Sequence, residues 1–161
     1  MGVALAEQNQ NMGFVLMEKK KERIQETIQQ ILRKKICNIR ILSVNFNWFL
    51  ENLFFPNSFD RVILNFPDPW PKKKHRKNRT FSKKFMETIS SIMKPNGQFQ
   101  FATDHGPYAR RAILVLRKME NIFSYKNEYS FSREIFPASK FETMKKKEGK
   151  KIYYLERIKK S

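Results

Sequence analysis

The chain has 161 residues, 40% apolar and 14% aromatic, which is enough for the core of one domain and too much for a disordered basic tail. Lys and Arg number 33 against 15 Asp and Glu, and a net charge of +18 makes a polyanion such as nucleic acid the first candidate partner. The single cysteine, Cys37, excludes an internal disulfide, the separated His75 and His105 give a metal site little support, and no apolar run nears the roughly 18–20 residues that cross a bilayer. Met1–Gln10 lacks the basic start and apolar stretch of a signal peptide, so a cytoplasmic setting is expected, with no membrane partner.

In chain order, Gly13–Met17 is a short apolar run ending at Glu18, and Lys20–Lys34 carries Ile24, Ile28, Ile31 and Leu32 at helical spacing: a strand feeding an amphipathic helix. Asn38–Leu42 reads as a second strand and Phe46–Leu53 as a short helix or turn. Asp60–Phe66 is a strand that stops at Pro67, which has no N–H to give a ladder. Phe81–Met93 reads as a helix, Pro95-Asn96-Gly97 as a turn, Gln98–Thr103 as a strand and Pro107–Met119 as a helix. Phe123–Phe131 reads as extended, Lys145–Lys151 as a basic loop and Ile152–Arg157 as a final strand. This alternation implies an α/β fold with a mostly parallel sheet and ligands outside the carboxyl ends of its strands.

Of the three aspartates, Asp68 and Asp104 fall just past strand ends. An acid there accepts N–H or O–H groups of a ligand or caps a helix; prolines on both sides of Asp68 weaken the capping reading, and for Asp104 the two are even. Glu18 also ends a strand, as an acceptor of ribose hydroxyls, a solvated strand end or a helix cap. The strongest local feature is Pro67-Asp68-Pro69-Trp70-Pro71, followed by Lys72-Lys73-Lys74-His75-Arg76-Lys77-Asn78-Arg79. Three prolines stiffen the loop, and the eight Lys or Arg between Pro69 and Met86, with no acid among them, suit a phosphate backbone. Trp70 stacks on a base or packs beneath the loop, His75 is a structural or RNA contact, and Cys37 is expected to pack.

These residues resemble the bacterial tRNA (guanine-N7-)-methyltransferases, a family of S-adenosylmethionine-dependent class I methyltransferases. The resemblance rests on Leu64–His75 with the basic residues to Arg79, then on Lys94-Pro95-Asn96-Gly97, Ala102-Thr103-Asp104 with Tyr108, Ser139–Glu142 and Ile152–Leu155. It implies a Rossmann-like fold, S-adenosyl-L-methionine as cofactor and tRNA as partner, with methyl transfer to N7 of a guanine in the variable loop. By the same resemblance, Glu18 binds the cofactor ribose, Asn45 contacts the adenine side, and Asp68 is the catalytic residue between cofactor and guanine. Lys72, Asp104, Ser139, Lys140, Phe141 and Glu142 bind the substrate, and Lys74, His75, Arg76, Lys77, Asn78 and Arg79 form the RNA-binding stretch.

The chain departs from the family at its start. Its five glycines, Gly2, Gly13, Gly97, Gly106 and Gly149, make no G-x-G, and Met1–Ala6 matches the helix after the family's glycine-rich turn. The expectation is one incomplete domain over residues 1–161, without the first, central strand and that turn, leaving the strands at Gly13–Met17 and Val62–Phe66 with unpaired inner edges. Two functions follow: the methyltransferase, or a catalytically impaired relative that serves as a basic tRNA-binding protein. Whether the chain is a monomer or a homodimer is not legible.

Overall fold

A computed structural model describes residues 1–44, 50, 52–70, 80–133 and 136–161, grouped in two compact units. Unit one comprises Met1–Phe49 and Glu134–Thr143, and unit two Leu50–Arg133 and Met144–Ser161.

Unit one runs α1 (Gly2–Gln8), β1 (Phe14–Met17), α2 (Lys21–Arg33) and β2 (Ile39–Leu42). The two strands pair in parallel, with Phe14 opposite Ile39 and Met17 opposite Leu42, as a helical crossover between them requires. Val3, Ala6 and Ile39 form the buried centre, and Phe14, Leu16, Ile31 and Ile36 pack on it. A Cβ at Gly2, at the head of α1, would lie 2.4 Å from the end of the Leu16 side chain, so the glycine leaves room for Leu16 to pack against the helix. Asn38 Nδ2 lies within 3.0 Å of the carbonyls of Ala6, Asn9 and Met12, securing the turn between α1 and β1 to the start of β2. Cys37 is exposed, contrary to expectation: it falls in the turn before β2, outside the apolar face that begins at Ile39.

Unit two contains β3 (Phe59–Asn65), α3 (Lys83–Ile92), β4 (Met93–Thr103), α4 (Gly106–Arg117), β5 (Phe123–Ser124) and β6 (Tyr153–Lys159). The strand order is β3-β4-β6-β5, parallel between β3 and β4 and antiparallel on both sides of β6. Ser82 starts α3 by accepting the Phe85 N–H at 3.2 Å, and Met86, Ile89 and Ile92 fall on its buried face. Phe81, Phe99 and Phe101 form an aromatic centre, with ring centroids 6.1 and 4.9 Å from Phe81.

Several expectations are refined. Pro95-Asn96-Gly97 is a bulge within β4: the register steps from Phe59 opposite Met93 to Arg61 opposite Gln98, and Asn96 takes the left-handed backbone, φ 62°. The extended segment after Phe123 is a two-residue strand and a single bridge from Ser130 to Tyr154. Lys145–Lys147 are helical, closing α5 (Lys140–Lys147). Gly149, φ 71°, ends that helix, with Lys150 N–H donating to Lys145 O and Gly149 N–H to Lys146 O, both at 3.0 Å. The expected helix or turn at Phe46–Leu53 falls largely outside the described residues. Among the described residues, β1 pairs with β2 alone and β3 with β4 alone, so each is an edge strand.

Candidate functional site

In unit two the site begins where β3 and β4 end side by side. Asn65 lies opposite Ala102, and the next residue, Phe66, continues the ladder by donating its N–H to Ala102 O at 2.8 Å. The chain then breaks sharply, because Phe66 and Trp70 both adopt the left-handed backbone, with φ of 47° and 43°. For bulky aromatic residues this conformation is strained. Phe66 is held there by packing on Ala102, Ile152 and Tyr154. Between these two bends Pro67-Asp68-Pro69 presents Asp68 exposed at the strand end, and Trp70 is half-buried.

On β4, Thr103 Oγ1 accepts the His105 N–H at 3.2 Å, and His105 Nδ1 caps α4 by accepting the Tyr108 N–H at 3.1 Å. The capping role open to Asp104 is thus taken by His105, which leaves the half-buried Asp104 carboxylate for other donors. One cation near Asp104 is Lys145 in the last turn of α5. A 2.8 Å bond to Glu148 is the main cause of its raised pKa, Glu148's charge adds to it, and Asp104 contributes the remaining attraction against the cost of burial.

Two residues that sequence reasoning passed over as functional brace this edge. Arg133 donates to Asn65 Oδ1 at 3.1 Å and lies 5.0 Å from the Tyr154 ring centroid. Tyr108 accepts the Phe81 N–H at 3.2 Å, at the first fully buried residue after the basic stretch. Lys72 and Lys74, His75, Arg76, Lys77, Asn78 and Arg79 lie outside the described residues, as does Asn45.

In unit one Glu18 follows β1, and its own N–H extends the pairing to Leu42 O at 3.1 Å. Its Oε1 accepts the N–H groups of Lys19 and Lys20 at 2.9 and 3.0 Å, and its Oε2 accepts Arg23 at 3.3 Å. Partial burial pushes this carboxyl up, but the Lys20 and Lys19 amides and the Arg23 guanidinium outweigh it and hold the pKa below the ordinary value of 4.5. Glu18 therefore ties down the two residues that lead into α2. A carboxylate offers about four acceptor positions, so a fourth donor such as a ribose hydroxyl still fits.

Ser139 and Glu142 form a reciprocal cap on α5, the Ser139 Oγ accepting the Glu142 N–H at 3.1 Å and Glu142 Oε2 accepting the Ser139 N–H at 3.4 Å. Glu142 is buried, Phe141 is partly exposed, and Lys140 reaches Glu26 of α2 at 3.6 Å.

Parallel strands joined by helices, with acids just past their carboxyl ends, define a Rossmann-like α/β protein. Solved structures share that fold. An rRNA methylase from Streptococcus thermophilus superposes with a TM-score of 0.58 at 10% identity, over 92% of this chain and 74% of that one. A protein from Streptococcus mutans described as "a putative methyltransferase", solved in complex with SAH, gives 0.56 at 10% identity over 91% and 76%. Residues 1–155 match the family described as "Putative methyltransferase", and the chain belongs to that methyltransferase family. A relative from Leptospira interrogans, named tRNA (guanine-N(7)-)-methyltransferase, is 47% identical over 158 residues, covering 98% of this chain and 73% of its own. A Chlamydia abortus protein of the same name is 31% identical over 163 residues, covering 98% and 70%.

Proposed function

We propose that this protein is a tRNA (guanine-N7-)-methyltransferase that uses S-adenosyl-L-methionine and works on tRNA in the cytoplasm. The observation that carries the reading is the 47% identity, over 98% of the chain, to a relative named for that activity. The family match over residues 1–155 takes in unit one and all but the last six residues of unit two, which supports reading residues 1–161 as one methyltransferase domain. No helix among the described residues is long and apolar enough to cross a membrane.

The residues suit chemistry that needs positioning and no base. When bound, S-adenosylmethionine supplies a sulfonium methyl that bonds to the guanine N7 lone pair as its carbon–sulfur bond breaks. N7 carries no proton, so no side chain must remove one. Asp68, exposed between two strained bends, accepts the guanine N1–H and amino group and orients the unstacked base. Glu18 takes a ribose hydroxyl and Asn45 the adenine side. Lys72, Asp104 and the Ser139–Glu142 segment hold the nucleotide, while Lys74–Arg79 track the phosphate backbone.

The test is to incubate the chain with methyl-labelled S-adenosylmethionine and unmodified tRNA, then digest the RNA to nucleosides. Label in 7-methylguanosine is expected. The net charge of +18, which by itself would serve simple RNA binding, supports a second reading, a catalytically impaired tRNA-binding protein. Tight tRNA binding with no cofactor binding by calorimetry and no label would establish that reading in place of the first.

A further inference from the structure

The carboxyl-end edge of unit two carries three aromatic rings that the proposed reaction leaves unused. Ser130 and Tyr154 exchange two backbone hydrogen bonds, 2.8 and 2.9 Å. Their neighbours Tyr129, Phe131 and Tyr153 therefore project from the other face of that short ribbon. There the ring centroids of Tyr129 and Phe131, and of Phe131 and Tyr153, are 5.3 Å apart, and those of Tyr129 and Tyr153 5.9 Å.

The triangle is held firmly. Ser130 Oγ accepts the Ser132 N–H at 3.1 Å, fixing the turn after Phe131. Tyr153 lies against the start of α4, where a Cβ at Gly106 would come within 3.1 Å of the Tyr153 hydroxyl. Gly106 is two residues past Asp104, so the rings stand beside the candidate site. Yet Tyr129 is 43% and Phe131 50% exposed, a large aromatic surface left in water.

Charge narrows the occupant. The Lys151 ammonium stands 5.6 Å from the Phe131 ring centroid. An apolar protein surface docking here would strip water from this ammonium with nothing to return. A nucleotide meets both features at once, its base over the rings and its phosphate on the lysine.

We propose that Tyr129, Phe131 and Tyr153 form a stacking platform for an unpaired nucleobase of the RNA substrate, with Lys151 on an adjoining phosphate. This rests on the RNA-directed function proposed above and adds a second contact, distinct from the base that is methylated.

The test uses the 161-residue chain and a single-stranded oligoribonucleotide carrying 2-aminopurine, whose fluorescence falls when it stacks. Wild type should quench the probe. A Tyr129→Ala, Phe131→Ala double variant should lose most of the quench and bind roughly tenfold more weakly, with the salt dependence unchanged because no phosphate contact is removed. Phe131→Leu, which keeps apolar bulk and guards against a folding defect, should also reduce the quench, and Phe131→Tyr should retain it. A duplex of the same sequence should bind all variants alike.

Equal quenching by wild type and the Leu variant overturns the platform. So does methylation of tRNA by a wild type that never quenches, which leaves the proposed function standing. Quenching without methyl transfer supports the platform and sinks the function, and failure to bind any RNA sinks both. Unchanged quenching together with a shift in oligomeric state would assign the rings to a protein contact and overturn the proposal.

Discussion

The Tyr108 phenol accepts the backbone N–H of Phe81 at 3.2 Å, and this bond ties α4 to the first fully buried residue after the basic stretch. Both residues are buried, and the Tyr108 ring also meets Phe101 edge-on at 5.5 Å. Tyr108→Phe keeps the ring and deprives the Phe81 N–H of this acceptor. A loss of about 1–3 kcal/mol is expected in chemical denaturation. If Lys74–Arg79 grip the tRNA backbone, the same variant should also weaken tRNA binding, because Phe81, two residues after them, is then less firmly held.

Glu18 gives a pH signature. Its carboxyl is more acidic folded than unfolded, so it contributes stability that is complete above the ordinary value of 4.5 and is lost as pH falls through its lower folded value. Glu18→Gln should flatten that acid-side loss in melting temperatures measured from pH 6 down to 3, and it should weaken S-adenosylmethionine binding in calorimetry at neutral pH. A variant with unaltered cofactor affinity would restrict Glu18 to bracing the turn that leads into α2.

The cap on α5 is separable from any substrate contact. Ser139→Ala removes the acceptor of the Glu142 N–H and should cost about 1 kcal/mol, while Ser139→Thr keeps the hydroxyl and should cost little. Equal tRNA affinity in both variants after matching for stability would mean that Ser139 acts through the helix alone.

What was legible in the sequence was local. The strand ends that carry Glu18, Asp68 and Asp104 follow from apolar runs stopped by an acid or a proline, and such signals lie within a few residues. The bonds that brace the site join residues far apart, Phe81 with Tyr108 and Asn65 with Arg133, and no periodicity announces them. The helical Lys145–Lys147 were hidden by their own composition: lysines dominate the eye, whereas the signals for that helix, Ser139-x-x-Glu142 before it and Gly149 after it, lie on either side. Cys37 misled in the opposite sense, since thiols are usually buried and this one sits in a turn.

Arg157 is a buried cation whose charge is met by carbonyls. Its Nη1 donates to Glu156 O at 2.7 Å and to Glu128 O at 3.3 Å, and its guanidinium lies 4.2 Å from the Tyr125 ring centroid. Arg157→Met fills the space without the donors, so the segment around Tyr125–Glu128 loses its anchor. A loss of about 2–4 kcal/mol in denaturant unfolding is expected, with faster hydrogen exchange at residues 125–131.

Asp68 provides the sharpest separation of binding from chemistry. It is exposed, so Asp68→Asn, nearly identical in shape, should leave stability within about 0.5 kcal/mol. Binding of tRNA should change little if the basic residues that follow carry the phosphate contacts, as proposed. A carboxylate accepts both the N1–H and the amino group of guanine, whereas the amide keeps one oxygen and turns an N–H toward the second donor. That mismatch loses one charge-assisted bond and adds a repulsion, so single-turnover methyl transfer should fall by about a hundredfold or more, with the tRNA dissociation constant nearly unaltered. Parallel loss of binding and rate would place Asp68 in the RNA grip and remove it from the reacting base.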